Sequence, residues 1–195
     1  MGTTPSEYQI IIPEWLNYYQ KSAVTRPKYW LWKDREKLPK KYKDILRPSP
    51  LTGIYCCDVE GNKFLKNSKK VGTPNLWMLN GQDLYNAALN WRVRKSVAIL
   101  FHEYFSEYIK EQVKPIVLPE GKFFSISCDI YEIKRGNMPD VSNMWLLEKF
   151  FEDALQICGI IPEDSPDYVI ESGRKRYFWV ENASERKLIF TIKII

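Results

Sequence analysis

The sequence predicts an α+β protein with one mixed or antiparallel β-sheet on which two main helices pack. Three observations lead to this prediction. Apolar and polar residues alternate with period two through residues 122–134, a helical periodicity runs from about 82 to 112, and a second helical periodicity follows Ser142. Short apolar segments near both ends of the chain add further strands. The expected order is therefore strand, insertion, helix, strand, helix, strand, strand.

The chain of 195 residues is long enough for a single domain with a substantial core. Hydrophobic residues make up 45% and charged residues 27%, as in folded proteins. No apolar run approaches the ~20 residues that cross a bilayer, so we expect a cytoplasmic protein without a membrane partner. His102 is the one histidine, and no cysteine pair has two-residue ligand spacing, so a structural zinc site is not expected.

The N-terminal part begins with a short strand and continues into irregular sequence. Residues 8–12 are apolar and rich in isoleucine, and Pro13 ends the strand. Residues 14–73 have no sustained periodicity, with a turn expected at 60–62. We interpret this segment as an insertion or small subdomain within a single 1–195 domain.

A long helix, broken at most once, is predicted from Gln82 to Gln112, where the chain contains neither proline nor glycine. Arg92, Arg94 and Lys95 form a compact basic cluster within it, which can bind phosphates if it faces outward.

The following strand is predicted at 122–134, with alternate residues facing the core. This buried face comprises Phe124, Ile126, Cys128, Ile130 and Glu132. Farther along, residues 167–172 and 174–180 resemble a hairpin around Gly173, and residues 187–195 form the closing strand.

Positive charge is concentrated in the N-terminal part of the chain. Residues 1–115 contain 19 Lys or Arg against 11 Asp or Glu, whereas residues 116–195 contain 10 against 13. Within segment 26–47, cations such as Lys40 and Lys41 are interleaved with aromatic residues. This pattern suits a polyanion with bases that can stack, and it equally suits a solvated face whose aromatic side chains turn inward.

The second helix is expected to begin near Ser142 and to stop at Gly159. Its core stripe comprises Met144, Leu147, Phe151, Ala154, Leu155 and Cys158. Lys149 and Asp153 lie on the opposite side, four residues apart, so they can form an ion pair.

Carboxylates surround this helix on both sides. Asp140 precedes it, and Glu163 with Asp164 follows in a loop that could return to the same region. Carboxylates gathered in a basic protein suggest metal-dependent phosphate chemistry. On spacing alone, an ordinary surface ion pair, a helix cap and a solvated turn explain them equally well.

The arrangement P-D-V-S-N, E-K-F-F-E-D-A-L and G-I-I-P-E-D-S-P-D-Y-V resembles the RusA family of Holliday junction resolvases, found in phages and prophages. The resemblance spans roughly residues 79–195, leaving 14–73 without a counterpart. The family pattern has an Asp-x-Asp-Asn opening, a helix with Lys and Asp-Ala-Leu, and a paired acidic turn. The matching residues are Asp140, Asn143, Lys149, Asp153, Glu163 and Asp164.

The resemblance implies a Mg²⁺-dependent endodeoxyribonuclease, with Mn²⁺ as a possible substitute, that makes paired symmetric nicks in branched DNA as a homodimer. It implies a phage-encoded or prophage-encoded protein of a bacterial cell. Its catalytic residues would be Asp140, Lys149, Asp153 and Asp164, and its metal ligands Asp140, Asp153, Glu163 and Asp164. In such a protein the DNA contacts would be Asn143 and the basic cluster Arg92, Arg94 and Lys95, and the charge pattern of segment 26–47 adds Lys40 and Lys41.

Two departures from the family pattern leave a second function open. Ser142 stands where the second Asp of the opening is usual, and the interval from Asn143 to Asp153 is longer by about one helical turn. The alternative is a RusA-like protein without cleavage activity that binds DNA or serves phage assembly. A third reading is an unrelated α+β protein with surface charge pairs.

Overall fold

The computed structural model describes residues 6–13, 16, 18–20, 26, 28–50, 52–66, 76–85, 90–134 and 144–195. The described strands are β1 Glu7–Pro13, β2 Tyr18–Gln20, β3 Arg47–Pro48, β4 Cys56–Cys57, β5 Leu76–Met78, β6 Phe124–Ile133, β7 Val169–Val180 and β8 Lys187–Ile194. The described α-helices are α1 Lys40–Lys43, α2 Gly81–Tyr85, α3 Trp91–Gln112 and α4 Trp145–Ile157, and 3₁₀ turns span Trp32–Lys37 and Ala183–Glu185.

The main sheet has the strand order β1-β8-β6-β7 among the described residues. Strand β8 pairs antiparallel with both β1 and β6, whereas β6 pairs parallel with β7. The sheet is therefore mixed. Together with the helices packed on it, it confirms the predicted α+β class.

Strand β6 confirms the predicted alternation, because Phe124, Ile126, Cys128, Ile130 and Glu132 are all buried. Helix α3 begins at Trp91, where the side chain of Asn90 accepts a hydrogen bond from the Arg92 backbone N–H. The basic cluster thus lies at the start of this helix.

The hairpin predicted around Gly173 is wrong, because residues 169–180 form one continuous strand. The pairing of β6 with β7 shifts between Ser125 and Ser127, whose partners are Glu171 and Arg174. Strand β7 thus accommodates one extra residue there, and a second one between Val169 and Glu171, the partners of Phe124 and Ser125. Gly173, at φ +87°, provides the left-handed conformation between Glu171 and Arg174, so the glycine marks a bulge and not a turn.

The core joins both long helices to the sheet through aromatic side chains. Phe151 of α4 stacks on Phe190 of β8, with ring centroids 3.5 Å apart, and Phe105 of α3 meets both rings edge-on. All three side chains are fully buried. No helix in the described part of the chain is long and apolar enough to span a membrane.

A second, smaller cluster lies within residues 28–66, around Leu38, Leu46, Cys56 and Phe64. A backbone hydrogen bond from Ala183 to Glu60, 3.1 Å long, joins this region to the turn before β8. The described part of the predicted insertion therefore has a core cluster of its own and a direct contact with the end of the sheet.

One ion pair is deeply buried in the sheet. The fully buried Glu132 accepts two hydrogen bonds from the Arg186 guanidinium, at 2.6 and 2.7 Å. We predict that Arg186→Met lowers the free energy of unfolding by about 3–5 kcal/mol, because it leaves a buried carboxylate without its cation. Urea denaturation measures this loss.

Arg176→Met is the matched control, because Arg176 also makes a bidentate pair, with Asp129, but is 58% exposed. We expect it to lower the free energy of unfolding far less than Arg186→Met, because solvent screens the exposed Arg176 guanidinium. Equal losses in the two variants would contradict the assignment of a buried charge to Glu132.

Candidate functional site

Helix α4 presents a charged pair on the side that faces away from its core stripe. The Lys149 ammonium lies 2.9 Å from Asp153 Oδ1, one turn farther along the helix. The residues of the predicted core stripe are all buried except Cys158, which is half-buried. The predicted ion pair and its outward position are both confirmed.

The chain after α4 brings a second carboxylate to the same lysine. Gly159 adopts φ +67° and donates its N–H to the Gln156 carbonyl, and Ile160 donates to Leu155. These two bonds form a Schellman cap, which ends the helix and turns the chain back. Lys149 then donates a short hydrogen bond to Asp164 Oδ2. Asp164 thus joins the site.

Glu163, which precedes Asp164 in the loop, does not join the site in the same way. Glu163 is exposed and makes no hydrogen bond or ion pair with a described residue. Asp140 and Asn143, like Ser142, lie outside the described residues. The structure therefore brings together Lys149, Asp153 and Asp164.

Histidine from the neighbouring helix completes this network. His102 Nε2 of α3 lies 3.1 Å from Asp153 Oδ2, and its ring packs edge-on against Phe150 at 5.5 Å. The residue patterns of the sequence assign no functional role to His102. No spacing rule could have found the contact, because 51 residues separate the partners and they lie on different helices.

We name the four residues Lys149, Asp153, Asp164 and His102 the Lys149 network. Charge compensation dominates its electrostatics. Partial burial alone would lower the pKa of Lys149, but its hydrogen bonds to Asp164 and Asp153 outweigh this and raise the pKa above its ordinary value. The hydrogen bond from Lys149 in turn lowers the pKa of Asp164. Both charges are therefore maintained at neutral pH.

A second set of carboxylates lies on the side of α4 that faces β7. Glu148 forms a short ion pair with Lys175, and Glu152 accepts a short hydrogen bond from Ser172. Burial raises the pKa of both carboxyl groups. Spacing alone did not single out these glutamates, because the charged residues of a helix are usually solvated.

The basic cluster on α3 lies near the beginning of α4. The Arg94 guanidinium lies 5.6 Å from the ring of Tyr85, and that ring packs 5.2 Å from Trp145. Trp145 is four residues before Lys149. Arg92 and Lys95 are exposed on the same first turns of α3. The cluster is thus accessible and connected through two aromatic rings to the helix that carries the site.

Lys40 and Lys41 lie in α1, within the smaller cluster. Both are exposed, and Lys41 stands 4.8 Å from the Tyr42 ring centroid. Residues 28–66 carry ten Lys or Arg against five Asp or Glu. This region therefore presents a basic surface with half-buried aromatic rings.

The described residues do not complete a metal site by themselves. Within the described ranges, no group of three or more His, Cys, Asp or Glu side chains is arranged to hold a metal ion. Asp153 and Asp164 supply oxygen donors of the kind that Mg²⁺ prefers, but both are bound to the Lys149 ammonium. A site here would need a further carboxylate.

No known protein-family model matches this sequence, and no curated protein is significantly similar to it.

The ion pair between Lys149 and Asp164 leads to a prediction about how Asp164 titrates. In the folded protein, Asp164 should titrate below its ordinary pKa, and Lys149→Met should return it toward that value. Because the folded-state pKa is lowered, the pair stabilises the fold above about pH 4, and this contribution is lost as the pH falls through the folded pKa. Carboxyl-carbon NMR measures the titration.

Lys95→Met is the control for this titration, because Lys95 is exposed and makes no ion pair with a described carboxylate. The Asp164 titration should be the same in Lys95→Met as in the wild type. A wild-type Asp164 that titrates at or above its ordinary pKa would contradict the bridging position of Lys149.

Proposed function

We propose that the protein is a Mg²⁺-dependent, structure-selective endodeoxyribonuclease of the RusA type, which resolves four-way DNA junctions by paired nicks. One observation carries the proposal. Lys149, Asp153 and Asp164, which match the family motif in a helix and a separate loop, form one contiguous network. The network thus brings residues from both parts of the motif to one place, as a shared site requires.

In this proposal Asp140 and Asp164 bind the metal, assisted by Glu163 and Asp153. Bound Mg²⁺ would supply positive charge at the scissile phosphate and lower the pKa of an attacking water. Asp164 has one oxygen on Lys149 and is 31% exposed, so its carboxylate can be reached by a solvated ion. Ser142 leaves the family opening one carboxylate short, and Asp140, Asp153, Glu163 and Asp164 would still supply enough oxygen ligands for Mg²⁺.

Lys149 supplies fixed positive charge in the proposed mechanism. Its pKa is held above the ordinary value by Asp164 and Asp153, so it is an ammonium at neutral pH and cannot serve as a base. Its role is to stabilise the negative charge that develops on the phosphate, or to orient the attacking water. His102 holds the second oxygen of Asp153 and so fixes the direction of that carboxylate.

The proposed DNA contacts are made mainly to phosphates. Arg92, Arg94 and Lys95 lie next to the beginning of α4, and Lys40 and Lys41 would add contacts from the region of the smaller cluster. A four-way junction is approximately symmetric, so a homodimer with one site per subunit would nick opposite strands. Asn143 would contact DNA from the segment that precedes α4.

One observation favours the second candidate, a RusA-like DNA-binding protein without cleavage activity. The Lys149 ammonium is hydrogen-bonded to both described carboxylates of the site, where a metal ion would otherwise find its ligands. Such a protein would bind junctions through the same basic cluster but would not hydrolyse them.

We predict Mg²⁺-dependent cleavage of a synthetic four-way junction by the wild-type protein, with linear duplex left intact. Asp140→Asn and Asp164→Asn should abolish cleavage while retaining junction binding, because they remove proposed metal ligands and not phosphate contacts. Lys149→Met should reduce the cleavage rate about 100-fold to 1,000-fold, the usual cost of losing one electrostatic stabiliser. Gel assays of nicked strands give the rates.

Asp167→Asn is the matched control, since Asp167 lies in the same loop but is exposed and has no proposed role. It should cleave like the wild type. Junction binding without cleavage in Mg²⁺ or Mn²⁺ would favour the second candidate. The absence of both binding and cleavage would contradict the nuclease, and full activity in Asp140→Asn would contradict its proposed site.

A further inference from the structure

Large aromatic side chains lie exposed at the ends of α2, α3 and α4. Trp91, the first residue of α3, is 61% exposed, and Tyr85, the last residue of α2, is 51% exposed. Trp145, the first residue of α4, is 40% exposed. Neither the core nor the Lys149 network accounts for the exposure of these rings.

The rings lie at one place on the surface. The ring centroids of Tyr85 and Trp145 are 5.2 Å apart, and the Arg94 guanidinium lies 5.6 Å from the Tyr85 ring centroid. Arg94 is three residues after Trp91, so the two side chains lie on the same side of α3. We name Tyr85, Trp91 and Trp145 the aromatic surface. Exposed apolar groups that lie together with polar residues around them mark interaction sites.

Positive charge is interleaved with the aromatic surface. The Arg92 guanidinium lies 5.6 Å from the Trp91 ring centroid, as Arg94 does from that of Tyr85. Neither arginine, nor the exposed Lys95, forms an ion pair with a described carboxylate. The first turn of α3 contains no acidic residue, and the N-terminus of the helix adds partial positive charge. The surface therefore favours an anionic ligand.

Exposed rings beside uncompensated cations fit one class of ligand better than others. A second copy of the chain, placed across a two-fold axis, would bring the same cations together, which is unfavourable. A single strand of nucleic acid carries a phosphate and a base in every nucleotide, and its bases stack on aromatic side chains. In an intact duplex, neighbouring base pairs already cover both faces of each base. The rings and cations together therefore favour an unpaired strand.

The aromatic surface adjoins the Lys149 network. Trp145 and Lys149 are four residues apart in α4, so their side chains are neighbours on the helix. The Trp145 indole packs against the backbone of Gly81 so closely that a β-carbon at this glycine would overlap the ring. The ring is thus positioned before any ligand binds, which lowers the entropic cost of stacking. A strand with a phosphate at Lys149 can place a neighbouring base on Trp145.

We propose that the aromatic surface stacks on unpaired bases of a DNA strand whose phosphates bind Arg92, Arg94 and Lys95; the inference rests on the proposed nuclease function and names the part of branched DNA that the protein engages. Stacking on a ring tolerates any base, so the contact does not read sequence. Exposing a base costs least where it is not held in a continuous duplex. Branched DNA thus satisfies both rings and cations, whereas intact duplex satisfies only the cations.

The test compares two fluorescently labelled strands of equal length and charge. One is an oligonucleotide of about 12 thymidines, within the usual range of single-strand site sizes, and the other is an abasic strand with the same number of phosphates. Fluorescence anisotropy without divalent metal gives both dissociation constants. We expect the wild type to bind the thymidine strand at least about 10-fold more tightly, because each stacked base contributes about 5-fold to 100-fold.

Variants separate stacking from charge. Trp91→Ala and Tyr85→Ala should each weaken binding of the thymidine strand about 5-fold to 100-fold and leave binding of the abasic strand nearly unchanged. Trp91→Phe, which retains a ring, should keep most of the preference. Lys95→Met should weaken binding of both strands by the same factor, because it removes a phosphate contact. Val117→Ala is the control, 81% exposed beyond the other end of α3, and should bind both strands like the wild type.

Equal affinity of the wild type for the two strands would overturn the stacking role, and so would a preference that Trp91→Ala and Tyr85→Ala both retain. Equal affinities together with a concentration-dependent dimer that Trp91→Ala dissociates would assign the surface to a second copy of the chain. A preference that depends on Trp91, in a protein that neither binds nor cleaves four-way junctions, would refute the nuclease and support the stacking surface. Junction cleavage with equal strand affinities would do the opposite.

Discussion

The parallel pairing of β6 with β7 is the constraint on which the arrangement of the site depends. Parallel neighbours cannot be joined by a tight turn, so the chain between them must cross over the sheet. Helix α4 is the described part of that crossover, and its buried stripe packs against the sheet. The outer side of α4 and the loop that follows the helix then lie on the same surface of the protein. Lys149 meets Asp164 as a result.

Charge compensation and hydrogen bonding explain how so many acidic groups are accommodated around one helix. Of the carboxylates that α4 carries inward, Glu148 pairs with the Lys175 ammonium and Glu152 accepts a hydrogen bond from the neutral Ser172 hydroxyl. On the outer side, one ammonium serves both Asp153 and Asp164. Metal binding in the proposed mechanism must therefore compete with Lys149 for oxygen atoms that are already engaged. This competition is the physical basis for distinguishing the two proposed functions.

The sequence predicts the regular parts of this protein because their periodicities are local. The alternation of β6 and the core stripe of α4 needed no knowledge of distant contacts, and the ion pair Lys149–Asp153 follows from helical geometry. The prediction of a hairpin at Gly173 was wrong because a glycine between two polar, β-prone segments is equally typical of a turn and of a bulge. Only the register against Ser125 and Ser127 separates the two. His102 could not be assigned, since its contact with Asp153 is created by the packing of α3 on α4.

The central claim is that the carboxylates around α4 form a metal site for phosphate chemistry, and a crystal structure of the protein soaked in Mn²⁺ tests it most directly. The account predicts anomalous density coordinated by oxygens of Asp140 and Asp164, with Lys149 displaced from at least one carboxylate. Absence of such density, with Lys149 still joining Asp153 to Asp164 and Asp140 directed elsewhere, would contradict it.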